Sequence, residues 1–448
     1  MRADLPALTE ALIAAARRAG AGAADAIALA GSATAIDVRE GRLEQAERSE
    51  GIEIGLRVLV GRRQACVAAS DSAPATLAAM AERAVAMARE APEDATLGLA
   101  DPAEIARGAS AATLELDDPA PEPDAAALAA DALAAEAAAR ELPGISRIDQ
   151  ASASWSRRAL WMAATNGFAG GYARTSRSVS CVAITGTGTA MERDWAAETR
   201  VWQADLPSPE TVGRLAGERA LARAGARKPP TGAFPVVFDE RVAGSLIGHL
   251  LAAVNGTAVA RGATWARDLL GQPVLPAGID LIEDPLRPRI GGSRPFDAEG
   301  LATARRAIVA DGVLAGWVLD LGTARRLGLA STANATRSPA TPPAPGTSNI
   351  DLTQGRRSRD ELIRDMGRGL VVTALLGAAI NPTTGDYSRG AAGFWVEGGA
   401  ISHPVNECTI AGNLRAMLAG LVPADDARPH LSLRVPSLLV EGLTVAGA

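Results

Sequence analysis

The imidazole and thiol side chains able to bind a metal in this sequence are few. There are three histidines, His249, His403 and His430, and three cysteines, Cys66, Cys181 and Cys408. A catalytic zinc site takes about three protein ligands and keeps one position open. The histidines, with Cys408 as a further donor, could make such a set only by converging in space, since nothing in their spacing pairs them. His249 sits in Leu246-Ile247-Gly248-His249-Leu250-Leu251, an apolar helix face, where a lone histidine reads as a core or interface residue before a ligand. His403 falls within a hairpin and His430 follows Pro429. H-E-x-x-H, G-x-S-x-G, C-x-x-C and the phosphate loop are all absent, and the G-x-G of Gly186 and Gly188 lacks its third glycine. Met191-Glu192-Arg193-Asp194-Trp195 reads as a solvated strand end or an ion-pair network unless its side chains face a cleft.

A second kind of chemistry, peptide binding, is suggested by Gly385–Leu414. Glycines punctuate Gly385–Gly393, which reads as a loop where backbone can approach a ligand. It carries Asp386, Tyr387, Ser388, Arg389 and Gly390, four hydrogen-bonding side chains and a glycine, and these are the candidate peptide-binding residues. Arg389 can offer two parallel donors to a carboxylate, and Tyr387 an aromatic face. Gly398-Gly399 then predicts a two-residue hairpin turn, pairing Glu397 with Ala400, Val396 with Ile401, Trp395 with Ser402 and Phe394 with His403.

The elements that must position these residues follow from periodicity. Leu5, Leu8, Leu12 and Ile13 predict a helix to about Arg18, and Ile52–Val60 alternates with period two, as a half-buried strand does. A helix follows from Pro74 to about Ala91. Pro92–Pro123 is acidic, proline-bearing and aperiodic. Asp124 caps an alanine-rich helix to Arg140, Asn166-Gly167 marks a hairpin, and Ser208-Pro209-Glu210 opens another helix. Lys228–Gly232 reads as a boundary, with a buried strand and a helix over 240–254 beyond it. Ser331–Asn349, rich in Pro, Thr, Ala and Ser, is expected to be mobile. The fold class is α+β: an N-terminal α/β domain with a mixed sheet (1–91), a connector (92–123), a central α+β domain (124–228) and a β-rich C-terminal domain (232–448).

Composition narrows the function. A chain of 448 residues, almost half of them apolar, can build more than one core without disulfides, and three scattered cysteines fit a reducing cytoplasm. The longest apolar run, Gly369–Ile380, is shorter than the ~20 residues of a membrane span. A net charge of −6 argues against direct nucleic-acid binding.

With these residues in view, the chain resembles the TldD/PmbA proteins, and specifically their TldE (PmbA) branch. The matching stretches are Met191–Asp194, Phe296-Asp297-x-Glu299-Gly300, Ala324–Leu329, Gly369–Thr373, Gly385–Val396 and Thr409–Asn413. The resemblance implies three domains around a peptide-degrading cleft. It also implies a sister subunit with H-E-x-x-x-H on a helix of the last domain, a cysteine completing its zinc site. Here Gly248 stands at the first histidine, His249 at the glutamate and Ala253 at the second histidine. Both helix ligands and the general base are therefore missing, and Val435 or a neighbour falls near the cysteine. The expectation is a chain without metal or cofactor of its own, with zinc on a TldD-like heterodimer partner and an unfolded peptide as substrate. Two alternatives remain: a homodimeric peptidase with another metal site, and a non-enzymatic modulator of DNA gyrase or of a toxin–antitoxin pair.

Overall fold

Asp4 opens the first helix, α1 (Leu5–Arg18), its carboxylate accepting from the Ala7 amide at 3.1 Å. The computed structural model describes residues 4–108 and 110–447, so the outer ends of the first and last expected domains and Ala109 of the connector lie outside the described residues. After α1 come two long strands, β1 (Ala23–Arg39) and β2 (Arg42–Val60), paired antiparallel along their length. β3 (Arg63–Ala69) pairs only with Ile54–Val60 of β2, and α2 (Pro74–Glu90) lies with α1 against this end of the sheet.

The chain then returns through α3 (Ala125–Arg140), β4 (Ile145–Ala164), β5 (Ala169–Thr185), β6 (Glu192–Arg200) and α4 (Pro209–Ala222). β4 pairs with the free edge of β1, Asp25–Val38 against Ala151–Ala164. One six-stranded sheet results, in the order β3-β2-β1-β4-β5-β6, and every pairing in it is antiparallel. The mixed sheet expected near the N-terminus is thus corrected: the sheet is antiparallel and shared by both N-terminal units. The cause is β1, which serves two cores. Ala24, Ala26 and Ala28 pack under α1 and α2, while Ile36 and Val38 pack under α3 and α4.

The last part begins with β7 (Gly232–Phe238), α5 (Glu240–Ala253) and α6 (Gly256–Arg261). Short elements follow: β8 (Leu281–Glu283), β9 (Arg306–Ala310), β10 (Val313–Leu314), α7 (Leu321–Leu327), β11 (Ala335–Thr336), β12 (Ala344–Pro345), β13 (Ile350–Leu352) and α8 (Arg359–Met366). Then come β14 (Gly369–Ile380), β15 (Asp386–Glu397), β16 (Ala400–Asn413), α9 (Leu414–Ala419), β17 (Val422–Pro423), β18 (Leu433–Arg434) and β19 (Leu438–Ala446). The main sheet here runs β16-β15-β14-β7-β19-β17 and is mixed, because β14 and β7 are parallel. Thr409–Ala411 of β16 also pairs with Thr444–Ala446 of β19, so the sheet closes on itself at one end.

At the Gly398-Gly399 turn both glycines have positive φ, and Glu397 pairs with Ala400 and Val396 with Ile401, as expected. Beyond that the register slips by one: Trp395 faces His403 and Phe394 faces Pro404, rather than Ser402 and His403. The extra residue is Ser402, which has no partner between Ile401 and His403 and forms a bulge just beyond the turn.

Ser331–Asn349 is not the loose segment its composition suggests. Asn334 donates to both carboxylate oxygens of the buried Glu283, at 2.8 and 2.9 Å, and Ser348 donates to the same group. Polar partners at a distance in sequence, which composition does not reveal, fix it. Its deepest anchor is Arg337, whose side chain is fully buried and pairs with Asp25 of β1. Arg57 of β2 grips the same carboxylate, its Nε donating at 2.6 Å. Burial alone would raise the Asp25 pKa, but the charges of Arg337 and Arg57 outweigh it and hold the group below the ordinary carboxylate value. Removing the carboxylate would leave two guanidinium groups buried and uncompensated. D25A is therefore expected to destabilise the chain by about 3–5 kcal/mol in denaturant unfolding; a loss within the scatter of a surface substitution would contradict this account of the junction.

Candidate functional site

Helix α5 is built by its sequence to face two ways. Asp239 caps it, accepting from the Arg241 amide at 3.2 Å. Leu246, Ile247, Leu250 and Ala253 are buried in the main core. His249 lines a cavity of about 240 Å³ on the other flank, closed by Ala258 of α6, Trp265, Ile380 at the end of β14, Pro382 and Leu414. Ala253 reaches the same cavity, and Gly248 has open space where a Cβ would stand. His249 and Ala253, one helical turn apart, therefore share one apolar hollow, and Gly248 is not part of its lining.

The expected peptide-binding loop is a strand. Asp386–Gly390 opens β15, which is paired on one side with β14 and on the other with β16. Its backbone is thus committed to the sheet and is not free to take a peptide, which corrects the reading of Gly385–Gly393 as a loop. Glycine is needed there for packing: a Cβ on Gly393 would lie 1.9 Å from the Val371 carbonyl oxygen. Gly385 supplies the positive φ of the turn before it.

The candidate side chains separate accordingly. Tyr387 is 2% exposed, its ring edge-on to His249 with centroids 5.9 Å apart. Burial raises its pKa to about 12, so it is a neutral phenol. Burial, with the charge of Arg389 second, lowers the pKa of His249, so its imidazole is neutral as well. Neither the Tyr387 hydroxyl nor His249 Nε2 has a hydrogen-bond partner among the described residues, although both atoms are buried. Asp386 is exposed, accepting from Thr384 Oγ1 at 2.6 Å and Asn413 Nδ2 at 3.2 Å, and these bonds lower its pKa. Ser388 is half-buried. Arg389 donates from Nε to the Gly377 carbonyl at 2.7 Å, and Gly390 lets β14 come close at Leu376.

A larger polar cleft of about 620 Å³ lies between β6, α4, α5 and β16, lined by Asp194, Arg219, Asp239, Arg241, Arg359 and His403 among others. The acids of Met191–Trp195 face inward, as an ion-pair network. Arg241 bridges Asp194 at 3.2 Å and Asp239 at 3.0 Å, and Arg223 reaches Glu192 at 3.4 Å. Asp239 and Arg241 escaped the reading of the sequence; the only signal for them was a charged trio directly after the buried strand β7. His430 lines a smaller hollow that adjoins this cleft at Arg219, Glu240 and Arg241, 3.3 Å from Glu198, and Cys408 is buried, donating to the Ala391 carbonyl. The three histidines thus line three different hollows and do not converge.

Comparison with known proteins places this geometry. Family models described as the PmbA/TldA metallopeptidase domain 1, central domain and C-terminal domain match residues 24–88, 118–224 and 231–447. The Metalloprotease PmbA of Escherichia coli O157:H7 is 34% identical over 413 residues, covering 92% of this chain and 89% of that protein. The chain belongs to the PmbA/TldD family. A Metalloprotease PmbA homolog of Haemophilus influenzae is 32% identical, with 96% and 94% covered. Among solved structures, a Bacteroides thetaiotaomicron protein described as a candidate modulator of DNA gyrase superposes with a TM-score of 0.90 at 25% identity, over 99% of this chain and 98% of its own. TldE of Thermococcus kodakarensis shares the fold, with a TM-score of 0.84 at 18% identity, over 98% of this chain and all of its own.

A metallopeptidase family implies zinc, and α5 does not fit it. Of Gly248, His249 and Ala253 only His249 carries a donor, and its Nε2 is shut into the core against Tyr387 with the Arg389 charge nearby. Among the described residues no three His, Cys, Asp or Glu side chains form a group able to hold a metal ion. The buried hydroxyl of Tyr387 has no partner to lose, so Y387F is expected to leave stability unchanged or raise it by about 1 kcal/mol. A clear fall in melting temperature would show instead that the hydroxyl is bonded in solution.

Proposed function

We propose that this chain is a metal-free, TldE-like subunit of a cytoplasmic zinc metallopeptidase, completing the peptide-binding cleft while a TldD-like partner supplies zinc, nucleophilic water and general base. The observation that carries this reading is the state of α5 in a chain matched along most of its length by metalloproteases. At the positions where the resemblance expects two histidines and a glutamate, Gly248, His249 and Ala253 offer one metal donor, the neutral imidazole of His249. A zinc peptidase needs its metal to acidify a bound water and polarise the scissile carbonyl. Nothing at Gly248, His249 or Ala253 can replace either action, so the chemistry is assigned to the partner.

What this chain contributes is positioning. The two halves of the molecule meet at a polar cleft, and the β14–β15 end presents Asp386, Ser388 and Arg389. Their acceptors and donors suit the carbonyls, amides and chain ends of an unfolded peptide. Arg389 spends one of its five donors on Gly377 and keeps the rest of its fork for a carboxylate or carbonyl. Holding an extended peptide in register turns cleavage into an effectively unimolecular step.

The test is reconstitution. Alone, the chain should leave unfolded peptides intact; mixed with a TldD-like subunit carrying H-E-x-x-x-H, it should give hydrolysis that a chelator abolishes. Chelator-sensitive hydrolysis by the lone chain would overturn the assignment. In the reconstituted complex, R389A is expected to raise KM or lower turnover by about ten- to hundredfold, the worth of one charge-assisted bond, with little change in melting temperature. A lowered melting temperature with full activity of the folded complex would make Arg389 a staple of the β14–β15 hairpin instead.

A further inference from the structure

The hollow beside α5 reaches the surface. Trp265 and Leu414 in its lining are buried, while Ala252, Ala263 and Pro382 are exposed and form its rim. None of the residues lining it carries a charge, since the His249 imidazole is neutral. Its one hydroxyl, on Thr264, is already used: it donates to the Ala253 carbonyl at 2.7 Å and accepts from the Ala266 amide at 3.1 Å. A hollow of about 240 Å³ with such walls suits an aliphatic or aromatic group and offers little to a polar one. A cavity of about 150 Å³ already holds a benzene ring, so a leucine or phenylalanine side chain has room.

Beside this neutral hollow stands an unpaired cation. Arg389 and Tyr387 are two residues apart in β15, so they project from one face of the sheet, the face on which Tyr387 meets His249. The charge of Arg389 bears on both of those groups: it adds to the lowering of the His249 pKa and works against the rise at Tyr387. Arg389 also holds Gly377 of β14, the strand that delivers Ile380 to the hollow. That bond uses Nε alone. Among the described residues no carboxylate pairs with Arg389, and its two terminal nitrogens have no hydrogen-bond partner. A guanidinium with both terminal nitrogens free can take a carboxylate on two parallel bonds.

We propose that the hollow and Arg389 form one subsite for the C-terminal residue of a peptide, its apolar side chain entering the hollow and its terminal carboxylate meeting the Arg389 fork. An apolar pocket beside a free cation fits that end residue better than other parts of a chain. An internal residue has no backbone carboxylate, and an acidic side chain has no apolar body to fill the hollow. Asp386 of the same strand does not oppose the chain end: it falls on the other face of β15, bonded to Thr384 and Asn413. The inference rests on the reading of this chain as a peptide-binding subunit and narrows it to peptides with an apolar last residue.

Fluorescence anisotropy on the purified full-length chain, without partner or zinc, tests it. The probes are N-terminally dye-labelled Gly/Ser peptides ending in leucine or in serine, each as the free acid and as the C-terminal amide. The leucine-ended acid is expected to bind about tenfold or more tightly than its amide, the worth of one charge-assisted bond. It should also bind about tenfold or more tightly than the serine-ended acid, the worth of an apolar group in its pocket. R389Q should abolish the acid–amide difference. A252W, which sets a large ring on the exposed rim, should abolish the leucine–serine difference with the circular dichroism melt in place, and it decides the matter if R389Q folds poorly. Equal binding of acid and amide by the wild-type chain, binding of neither, or a leucine preference that survives in folded A252W would overturn the proposal. Reconstituted hydrolysis is a separate readout: a chain that activates a TldD-like partner yet ignores the peptide end overturns this inference alone. A chain that selects the end yet restores no hydrolysis overturns the subunit reading alone.

Discussion

A buried carboxylate between two guanidinium groups holds this molecule together. Asp25 comes from β1, Arg57 from β2 and Arg337 from the segment after α7, so one side chain joins the N-terminal sheet to the C-terminal part. Such a cluster adds little net stability over apolar packing, because three charges have lost their water. It adds position. The chain around Pro339 lies so close to β2 that a Cβ on Gly55 would sit 2.3 Å from the Pro339 carbonyl oxygen. The Arg337–Asp25 pair lies beside that approach, and Arg241–Asp194 and Arg289–Glu115 tie the two halves together elsewhere.

The second constraint is the closed end of the C-terminal sheet. Pairing of β16 with β19 covers the edge of β16, and β15, held between β14 and β16, offers side chains rather than backbone. The same packing sets the Tyr387 ring edge-on to His249, with centroids 5.9 Å apart. The position of His249 on an otherwise intact helix then follows from packing: it fills the flank of an apolar hollow as a neutral ring, stacked edge-on to a neutral phenol.

Much of this was legible because local rules were obeyed. Asp124 and Ser208 are side-chain caps where short polar residues precede helical runs, and Gly398-Gly399 turns a hairpin because both positions need positive φ. The α+β class and the family resemblance followed from such runs. What was not legible came from partners distant in sequence. Nothing around Ile36 says that β1 will take β4 on its free edge, so two units read as separate share one sheet. Nothing around Asn334 or Arg337 says that Glu283 and Asp25 await them, so a segment poor in apolar residues read as mobile. Gly385–Gly393 misled for a related reason: its glycines serve close strand packing, which looks the same in sequence as an open loop.

The proposal on which the functional reading turns is that this chain, a member of the PmbA/TldD family, holds no zinc of its own. It is tested most directly by elemental analysis of the purified chain after exposure to zinc and removal of the excess. The account predicts no stoichiometric zinc, and no change in metal content on H249A. About one tightly held zinc per chain, lost in H249A, would contradict it.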